Sequence, residues 1–134
     1  MVIPVYNDIA GLKVAVPRSV AVLEEIVPDF EIIIAEDAST DGSAEYAASC
    51  REHDRRIRHL HRDQRLGRGS ALVSAAEIAR GEIFCYYDVD LATDLVYLPV
   101  LITRIREGAD IATGSRLLPG SDIIGTPFIS IVHQ

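Results

Sequence analysis

The order of apolar runs and helical periods in this sequence predicts an α/β fold, with a mostly parallel sheet flanked by helices on both faces. Short runs of consecutive apolar residues, typical of fully buried strands, alternate with stretches in which apolar residues recur every three or four positions. Polar and charged residues directly follow four of these runs, at the place where ligands bind in parallel sheets. The length of 134 residues and the 49% of hydrophobic residues suit one domain with a packed core.

The first strand and the first helix are predicted at the start of the chain. Val2–Val5 is a short apolar run, which predicts a buried strand. The stretch after it carries an apolar stripe at helical spacing, formed by Leu12, Val16, Val20, Leu23 and Val27. Pro17 interrupts this stripe. Because proline lacks the N–H that a helix interior uses, we expect a kink or a restart of the helix there.

The second unit repeats the order of strand, turn and helix. The β-branched run at residues 32–35 is short enough to predict a second fully buried strand. Residues 37–42 are polar and predict a turn, in which Thr40 or Asp41 can cap a helix that ends near His53. Strands separated by helices in this way are typical of βαβ connections between parallel strands.

The second half of the chain continues the alternation. Residues 57–61 and 83–87 predict two further strands, and residues 67–79 predict the helix between them. Another helical pattern ends at Gly108, and residues 111–113 predict a last short strand.

Two aspartates follow the fourth apolar run and suggest a cation site. Asp88 and Asp90 are two residues apart, so on an extended segment their carboxylates leave the same face. Two carboxylates about 4 Å apart repel each other by roughly 4 kcal/mol at an effective dielectric near 20, which Mg²⁺ or Mn²⁺ would offset. The alternative is an acidic strand end that is only solvated. His59 and His61 share one strand face, which is more typical of edge or packed positions than of a ligand set.

The polar residues after the other strands suit a nucleotide. Asp37 lies at the carboxyl end of the second predicted strand, where its carboxylate can accept two N–H donors from a base. Gly67, Arg68 and Gly69 open a helix, where glycine lets the backbone approach a ligand and the helix start favours a phosphate. For the residues after Asp37, Ser39 to Asp41, the alternative is turn and capping chemistry, and for the helix start at Gly67 it is a solvated basic face.

The composition excludes other partners and locations. The formal net charge of −7 argues against nucleic acid as a partner, since domains that bind it carry a surplus of basic groups. No apolar run approaches the roughly 20 residues that span a bilayer. The first residues lack the basic start and apolar stretch of a signal peptide. We therefore expect a cytoplasmic location.

Taken in order, these motifs resemble those of the family 2 inverting glycosyltransferases, which have the A-type nucleotide-sugar fold. Residues 3–8 look like that family's P-x-Y-N-E start, with Asp8 in place of Glu. Residues 35–42 resemble its D-D-x-S-x-D-G segment, with Glu36 in place of the first Asp. The remaining matches are residues 66–69 and 79–82 to its helix segment, 88–91 to its metal-binding D-x-D, and 114–116 to its G-S-R. The resemblance covers roughly residues 2–120.

The resemblance is greatest to polyprenyl-phosphate sugar synthases of the dolichyl-phosphate mannose synthase type. It implies a Rossmann-like nucleotide-diphospho-sugar transferase fold and metal-dependent, inverting transfer of mannose or glucose from a nucleotide sugar to a polyprenyl or dolichyl phosphate. GDP-mannose is the favoured donor, with a UDP-sugar as the alternative. The implied donor-binding residues are Pro4, Tyr6, Asp8, Asp37, Gly67, Arg68 and Asp88. Asp88 and Asp90 would bind Mg²⁺ or Mn²⁺, and Asp90 and Arg116 would be catalytic, with Arg116 meeting the acceptor phosphate.

This resemblance divides the chain into a donor-binding domain at residues 1–118 and the start of a truncated acceptor region at residues 119–134. A lipid acceptor implies peripheral association with the cytoplasmic face of a membrane. Ala92 stands where mannose synthases of this type often have Gln, and residues 125–134 contain no arginine. These departures leave a non-catalytic nucleotide-sugar-binding module as an alternative. An aspartyl-phosphate phosphatase would need a downstream lysine, whereas Lys13 is the only lysine.

Overall fold

A parallel sheet forms the centre of the computed structural model, which describes residues 1–114. Within these residues the strands are β1 (Val2–Val5), β2 (Ile32–Glu36) and β3 (Ile57–Leu60), in the spatial order β1-β2-β3. Both neighbouring pairs are parallel, with Val2 opposite Ile33 and Ile32 opposite Ile57. This sheet and its helices confirm the predicted α/β class.

Helices cover both faces of the sheet. They are α1 (Ile9–Ile26), α2 (Ser43–His53), α3 (Arg68–Ile78) and α4 (Leu98–Arg106), the last preceded by a single 3₁₀ turn at Leu95–Tyr97. Side chains alternate along each strand, so each face of the sheet builds its own core. On one face the strands pack against residues of α1, α2 and α4, including Leu12, Ala47 and Leu98. On the other face they pack against Ala71 and Ala75 of α3.

Pro17 does not restart the first helix, so that part of the prediction is wrong. The helix runs unbroken from Ile9 to Ile26 with Pro17 inside it. Pro17 and Lys13, whose carbonyl loses its partner, both lie on the exposed side of α1, where water can satisfy that carbonyl. Leu12 and Leu23 are buried on either side and hold both halves of the helix against the sheet.

Two of the predicted strands are absent from the described residues. Residues 83–87 make only an isolated bridge between Tyr86 and Val2, through hydrogen bonds of 2.7 Å and 3.1 Å at Val2. The next bond of such a parallel ladder would need an N–H on Pro4, which proline lacks, so pairing stops there. Residues 111–113 are also not a strand: Ile111 is 84% exposed and packs on no sheet face. None of the helices in residues 1–114 combines the length and the apolar character that a membrane crossing requires.

Glu31, just before β2, joins three parts of the fold. Its carboxylate accepts hydrogen bonds from the Arg58 guanidinium at 3.0 Å and from the backbone N–H of Arg80 at 2.5 Å. Burial raises the pKa of Glu31, but these two hydrogen bonds, together with the positive charges of Arg58 and the N-terminal ammonium group, lower it by more, so its net pKa lies below the ordinary value. The ionised carboxylate is therefore the form that stabilises the fold.

We expect the E31Q variant to lose about 1–2 kcal/mol of unfolding free energy at neutral pH, because it removes a charge-assisted pair. A depressed pKa contributes stability above the unfolded value of about 4.3, and this contribution is lost as the pH falls through the folded value. The difference between E31Q and the parent chain should therefore shrink below about pH 4. Urea denaturation across this range measures it, with the exposed Glu25→Gln as the control. A difference that grows in acid would contradict the assignment.

Candidate active site

A cleft of about 380 Å³ opens at the carboxyl edge of the sheet. Its lining comes from the carboxyl ends of β1 and β2, from the segments that follow β1, β2 and β3, and from the segment after residues 83–87. The lining residues are Pro4, Val5, Tyr6, Asp8, Ala35, Asp37, Arg65, Gly67, Arg68, Ala71, Asp88, Val89 and Asp90. They include every donor-binding residue and both metal ligands that the sequence predicts. Arg116 lies outside the described residues.

Asp37 is buried at the end of β2, and both of its carboxylate oxygens already have partners. Oδ1 accepts from the backbone N–H of Leu66 at 3.1 Å, and Oδ2 accepts from that of Gly67 at 2.7 Å. The Arg62 guanidinium lies 3.7 Å from Oδ1. Asp37 thus holds the loop that leads into α3, and contact with a base stays a prediction.

Tyr6 presents an aromatic face to the cleft. Its side chain is half-exposed, and the guanidinium carbon of Arg65 lies 3.8 Å from the centre of its ring. A planar cation on a ring is a favourable cation–π arrangement, and a planar base could stack on the same surface. Arg65 was not among the predicted site residues. The sequence contains seven arginines from Arg51 to Arg68, which indicates a basic segment but does not show which arginine meets the ring.

Asp8 caps α1. Its Oδ1 accepts a hydrogen bond from the Gly11 N–H at 2.9 Å, as an N-cap carboxylate does. A Cβ on Gly11 would overlap with Asp8 Oδ2, so glycine leaves room for this cap. The loops after β1 and β2 are also joined, because Asn7 Oδ1 accepts from the Thr40 N–H at 2.7 Å and Asp41 Oδ2 accepts from the Ile9 N–H at 2.8 Å. The N-cap of α2 is Gly42, without a side-chain capping bond, and not Thr40 or Asp41 as predicted; Asp41 Oδ1 instead accepts from the N–H of Ser43, the first residue of the helix, at 3.0 Å.

Asp88 and Asp90 lie in a turn and not on an extended segment, which corrects the prediction. The Leu91 N–H donates to the Asp88 carbonyl at 2.9 Å, and Leu91 has a φ of +51°. Asp90 Oδ1 accepts from the Ala92 N–H at 2.9 Å. Residues 83–87 do not continue as a strand, so the chain is free to turn here.

Arg68 forms an ion pair with Asp88 at 2.8 Å, with side chains 61% and 46% exposed. An exposed pair of this kind is worth at most about 1 kcal/mol, so it can exchange partners readily. Asp88 and Asp90 are hard oxygen donors, and each has a second carboxylate oxygen without a hydrogen bond within residues 1–114, which fits a divalent cation such as Mg²⁺ or Mn²⁺.

Comparison with known proteins agrees with this geometry. The family model described as "Glycosyl transferase family 2" matches residues 1–127. The chain is 46% identical to glycosyltransferase AglD of Haloferax volcanii over 122 aligned residues. The aligned region covers 89% of this chain and 20% of that protein. It is 30% identical to an undecaprenyl-phosphate mannosyltransferase of Micrococcus luteus, over 94% of this chain and 51% of that protein. It is also 30% identical to a dolichol-phosphate mannosyltransferase of Pyrococcus furiosus, over 96% of this chain and 36% of that protein.

The chain thus spans about half the length, or less, of these curated relatives. The match to the family model nevertheless extends over almost all of the chain and includes the whole cleft. The resemblance seen in the ordered motifs is therefore confirmed. This chain belongs to glycosyl transferase family 2.

Proposed function

We propose that residues 1–118 are the donor-binding domain of a metal-dependent, inverting glycosyltransferase, and that residues 119–134 begin its acceptor region. The proposed reaction moves a hexose, mannose or glucose, from a nucleoside-diphosphate sugar to a polyprenyl or dolichyl phosphate. The observation that carries this proposal is the single cleft in which all the predicted donor-binding and metal-binding side chains meet. Such a cleft at the carboxyl edge of a parallel sheet is the usual ligand site of this architecture.

The names of the relatives support the choice of substrates. Two of them are called undecaprenyl-phosphate and dolichol-phosphate mannosyltransferases. Others are called undecaprenyl-phosphate 4-deoxy-4-formamido-L-arabinose transferases. A polyprenyl phosphate is the acceptor that these names share, and GDP-mannose is the donor that we favour, with a UDP-sugar as the alternative. A lipid acceptor would bring the protein to the surface of a membrane.

The mechanism that we propose rests on charge. Asp88 and Asp90 would hold Mg²⁺ or Mn²⁺, which supplies charge neutralisation at the departing nucleoside diphosphate. Arg68 would leave Asp88 for the diphosphate, and the base would take the place of Arg65 on the ring of Tyr6. An acceptor phosphate is already anionic at neutral pH, so it can attack the sugar without a strong general base. Arg116 is the residue proposed to orient that phosphate.

A thermal-shift titration of the chain with GDP-mannose, UDP-glucose and UDP-N-acetylglucosamine, with and without Mn²⁺, tests donor binding. One donor should raise the melting temperature far more with Mn²⁺ than without it. Stabilisation follows the ratio of ligand concentration to Kd and reaches about 2.7 kcal/mol at a hundredfold excess over Kd. If a folded sample with Mn²⁺ responds to none of the three donors, the proposal fails.

Ala92 supports a second candidate, a nucleotide-sugar-binding module without turnover. Its backbone N–H binds Asp90, and its methyl side chain offers no further metal ligand. Donor binding without either hydrolysis or transfer to a polyprenyl phosphate would favour the module. Family membership, in contrast, removes the reason to consider an aspartyl-phosphate phosphatase.

A further inference from the structure

Three side chains that commonly bind metals lie together outside the cleft, on the face of the sheet that α2 covers. Glu36 ends β2, while His59 lies in β3 and His61 follows it. His59 is paired in register with Ile34, which belongs to the core on the α1 and α2 face. Side chains two residues apart on a strand share a face, so Glu36 and His61 lie on the same face as His59.

The ligand atoms of the three residues converge. The nearest ligand atoms of Glu36, His59 and His61 all lie within 4.8 Å of one another. Glu36 Oε2 is 2.5 Å from His61 Nδ1 and 4.0 Å from His59 Nε2. Neighbouring ligands of a tetrahedral zinc ion are separated by about 3.4 Å, given metal–ligand distances near 2.1 Å. The observed separations bracket this value, so small side-chain movements would suffice.

His59 provides an observation that packing does not explain. Its Nε2 is buried and has no hydrogen-bond partner within residues 1–114. A buried polar atom without a partner is costly, and such atoms in native proteins usually have a specific cause. Burial also lowers the pKa of His59, which favours the neutral imidazole that a metal requires.

The surroundings resemble the outer shell of a metal site. The second ring nitrogen of His61, Nε2, lies 3.4 Å from a carboxylate oxygen of Asp63. The other oxygen of Glu36 accepts a hydrogen bond from the Ser39 N–H. Histidines that bind metals commonly donate their second N–H to a carboxylate, which fixes the orientation of the ring. His61 is half-exposed, which gives a cation and a water ligand access from solvent.

We propose that Glu36, His59 and His61 form a second cation site, separate from Asp88 and Asp90, that takes Zn²⁺ or a similar divalent metal. Two imidazole nitrogens and one carboxylate suit zinc, whereas Mg²⁺ prefers oxygen ligands alone. The metal would tie the segment after β2, which carries Asp37, to the segment after β3. Its role is structural: it stabilises the loops that border the cleft. The site does not depend on which donor or acceptor the protein uses.

Calorimetric titration of the chelator-treated chain with Zn²⁺ alone tests this proposal. The titration uses the Asp88→Asn, Asp90→Asn double variant, so that the cleft carboxylates do not compete. We expect one zinc ion per chain, with a raised melting temperature and with Mg²⁺ as a poor competitor. The hydrogen bond to Glu36 raises the pKa of His61, so the titration is run at about pH 8, where zinc displaces a bound proton more easily.

Three further substitutions in that background make the test specific. Changes to outer-shell partners of a metal site cost about 10- to 100-fold in affinity, so removal of a ligand in the H61Q and H59Q variants should cost at least about 100-fold. His61 is half-exposed, so H61Q should fold even if H59Q does not. The exposed His53→Gln at the end of α2 is the matched control and should bind zinc normally.

Cobalt provides an independent readout, because Co²⁺ bound in a four-coordinate site absorbs visible light strongly. The Asp88→Asn, Asp90→Asn variant should show this absorption, and its H61Q derivative should lose it. Zinc binding that H61Q does not weaken, or the absence of any zinc binding by the folded double variant, would overturn the proposal.

Discussion

Replacing Asp90 by Ala is expected to abolish the contribution of Mn²⁺ to donor binding and to reduce sugar transfer by about 100- to 1,000-fold, the usual effect of removing one group that stabilises a developing charge. Asp90 is one of only two carboxylates in the turn at Asp88–Leu91, and Ala92 beside it has no side chain that could replace it. The variant should therefore lose Mn²⁺-dependent donor binding and sugar transfer to a greater extent than it loses folded protein. Donor titration with and without Mn²⁺ measures the first effect, and transfer of labelled sugar to a polyprenyl phosphate measures the second.

Asp88→Asn should have a similar effect on binding for the same reason. Its ion pair with Arg68 is exposed and contributes at most about 1 kcal/mol, so the melting temperature without ligand should hardly change. Glu77→Gln removes an exposed carboxylate from α3 outside the cleft lining and is the matched control. Mn²⁺-dependent donor binding that persists in both aspartate variants would show that the cation site lies elsewhere.

Replacing Asp37 by Ala is expected to lower the free energy of unfolding by about 3 kcal/mol, the usual cost of removing one partner from a buried charge pair. The substitution leaves the backbone N–H groups of Leu66 and Gly67 without their acceptor. It also leaves Arg62, whose side chain is 13% exposed, without its nearest carboxylate. Urea denaturation measures the loss.

The role of Arg62 permits a stricter test of the same prediction. Its guanidinium also donates to the Ser70 carbonyl at 2.7 Å and to the Ser70 hydroxyl at 2.9 Å, so it fastens α3 to the loop that Asp37 holds. In a double-mutant cycle, Asp37→Ala and Arg62→Met should be coupled by about 1–3 kcal/mol, since neighbours in one network are not additive. The exposed Asp110→Asn should change stability by less than about 0.5 kcal/mol. Additive effects of the two changes would contradict a shared network.

Asp37 also shows where sequence reasoning ends within the site. Its position at the end of a buried strand placed it correctly at the carboxyl edge of the sheet and in the cleft. Its partners, however, are backbone N–H groups about thirty residues away, at Leu66 and Gly67. No local sequence pattern predicts such a hydrogen bond, because the bond depends on how the loop after β3 returns toward β2.

The histidines illustrate the same limit from the other side. The strand period correctly predicts that His59 and His61 share a face, because that relation lies within one segment. The carboxylate that joins them belongs to Glu36, on the neighbouring strand, and only the β2–β3 register brings it to them. The sequence could not supply that register, so it could not identify the group.

Local periodicity by itself determined the class of the fold, the three paired strands and the four helices of the described residues. The rule that ligands bind beyond strand ends was enough to predict that polar residues after several strands gather at one edge of the sheet, whereas the individual donor-binding residues came from the family resemblance. Strands, helices and the polar residues that follow them belong to contiguous segments, and the spacing of apolar residues indicates which side chains are buried. Tertiary structure alone decided that residues 83–87 bridge β1 at only one point, because Pro4 lacks the N–H that further pairing needs. It also decided that α1 continues through Pro17, because Lys13 and Pro17 lie on the exposed side of the helix, where water can satisfy the freed carbonyl, while Leu12 and Leu23 remain packed on the sheet.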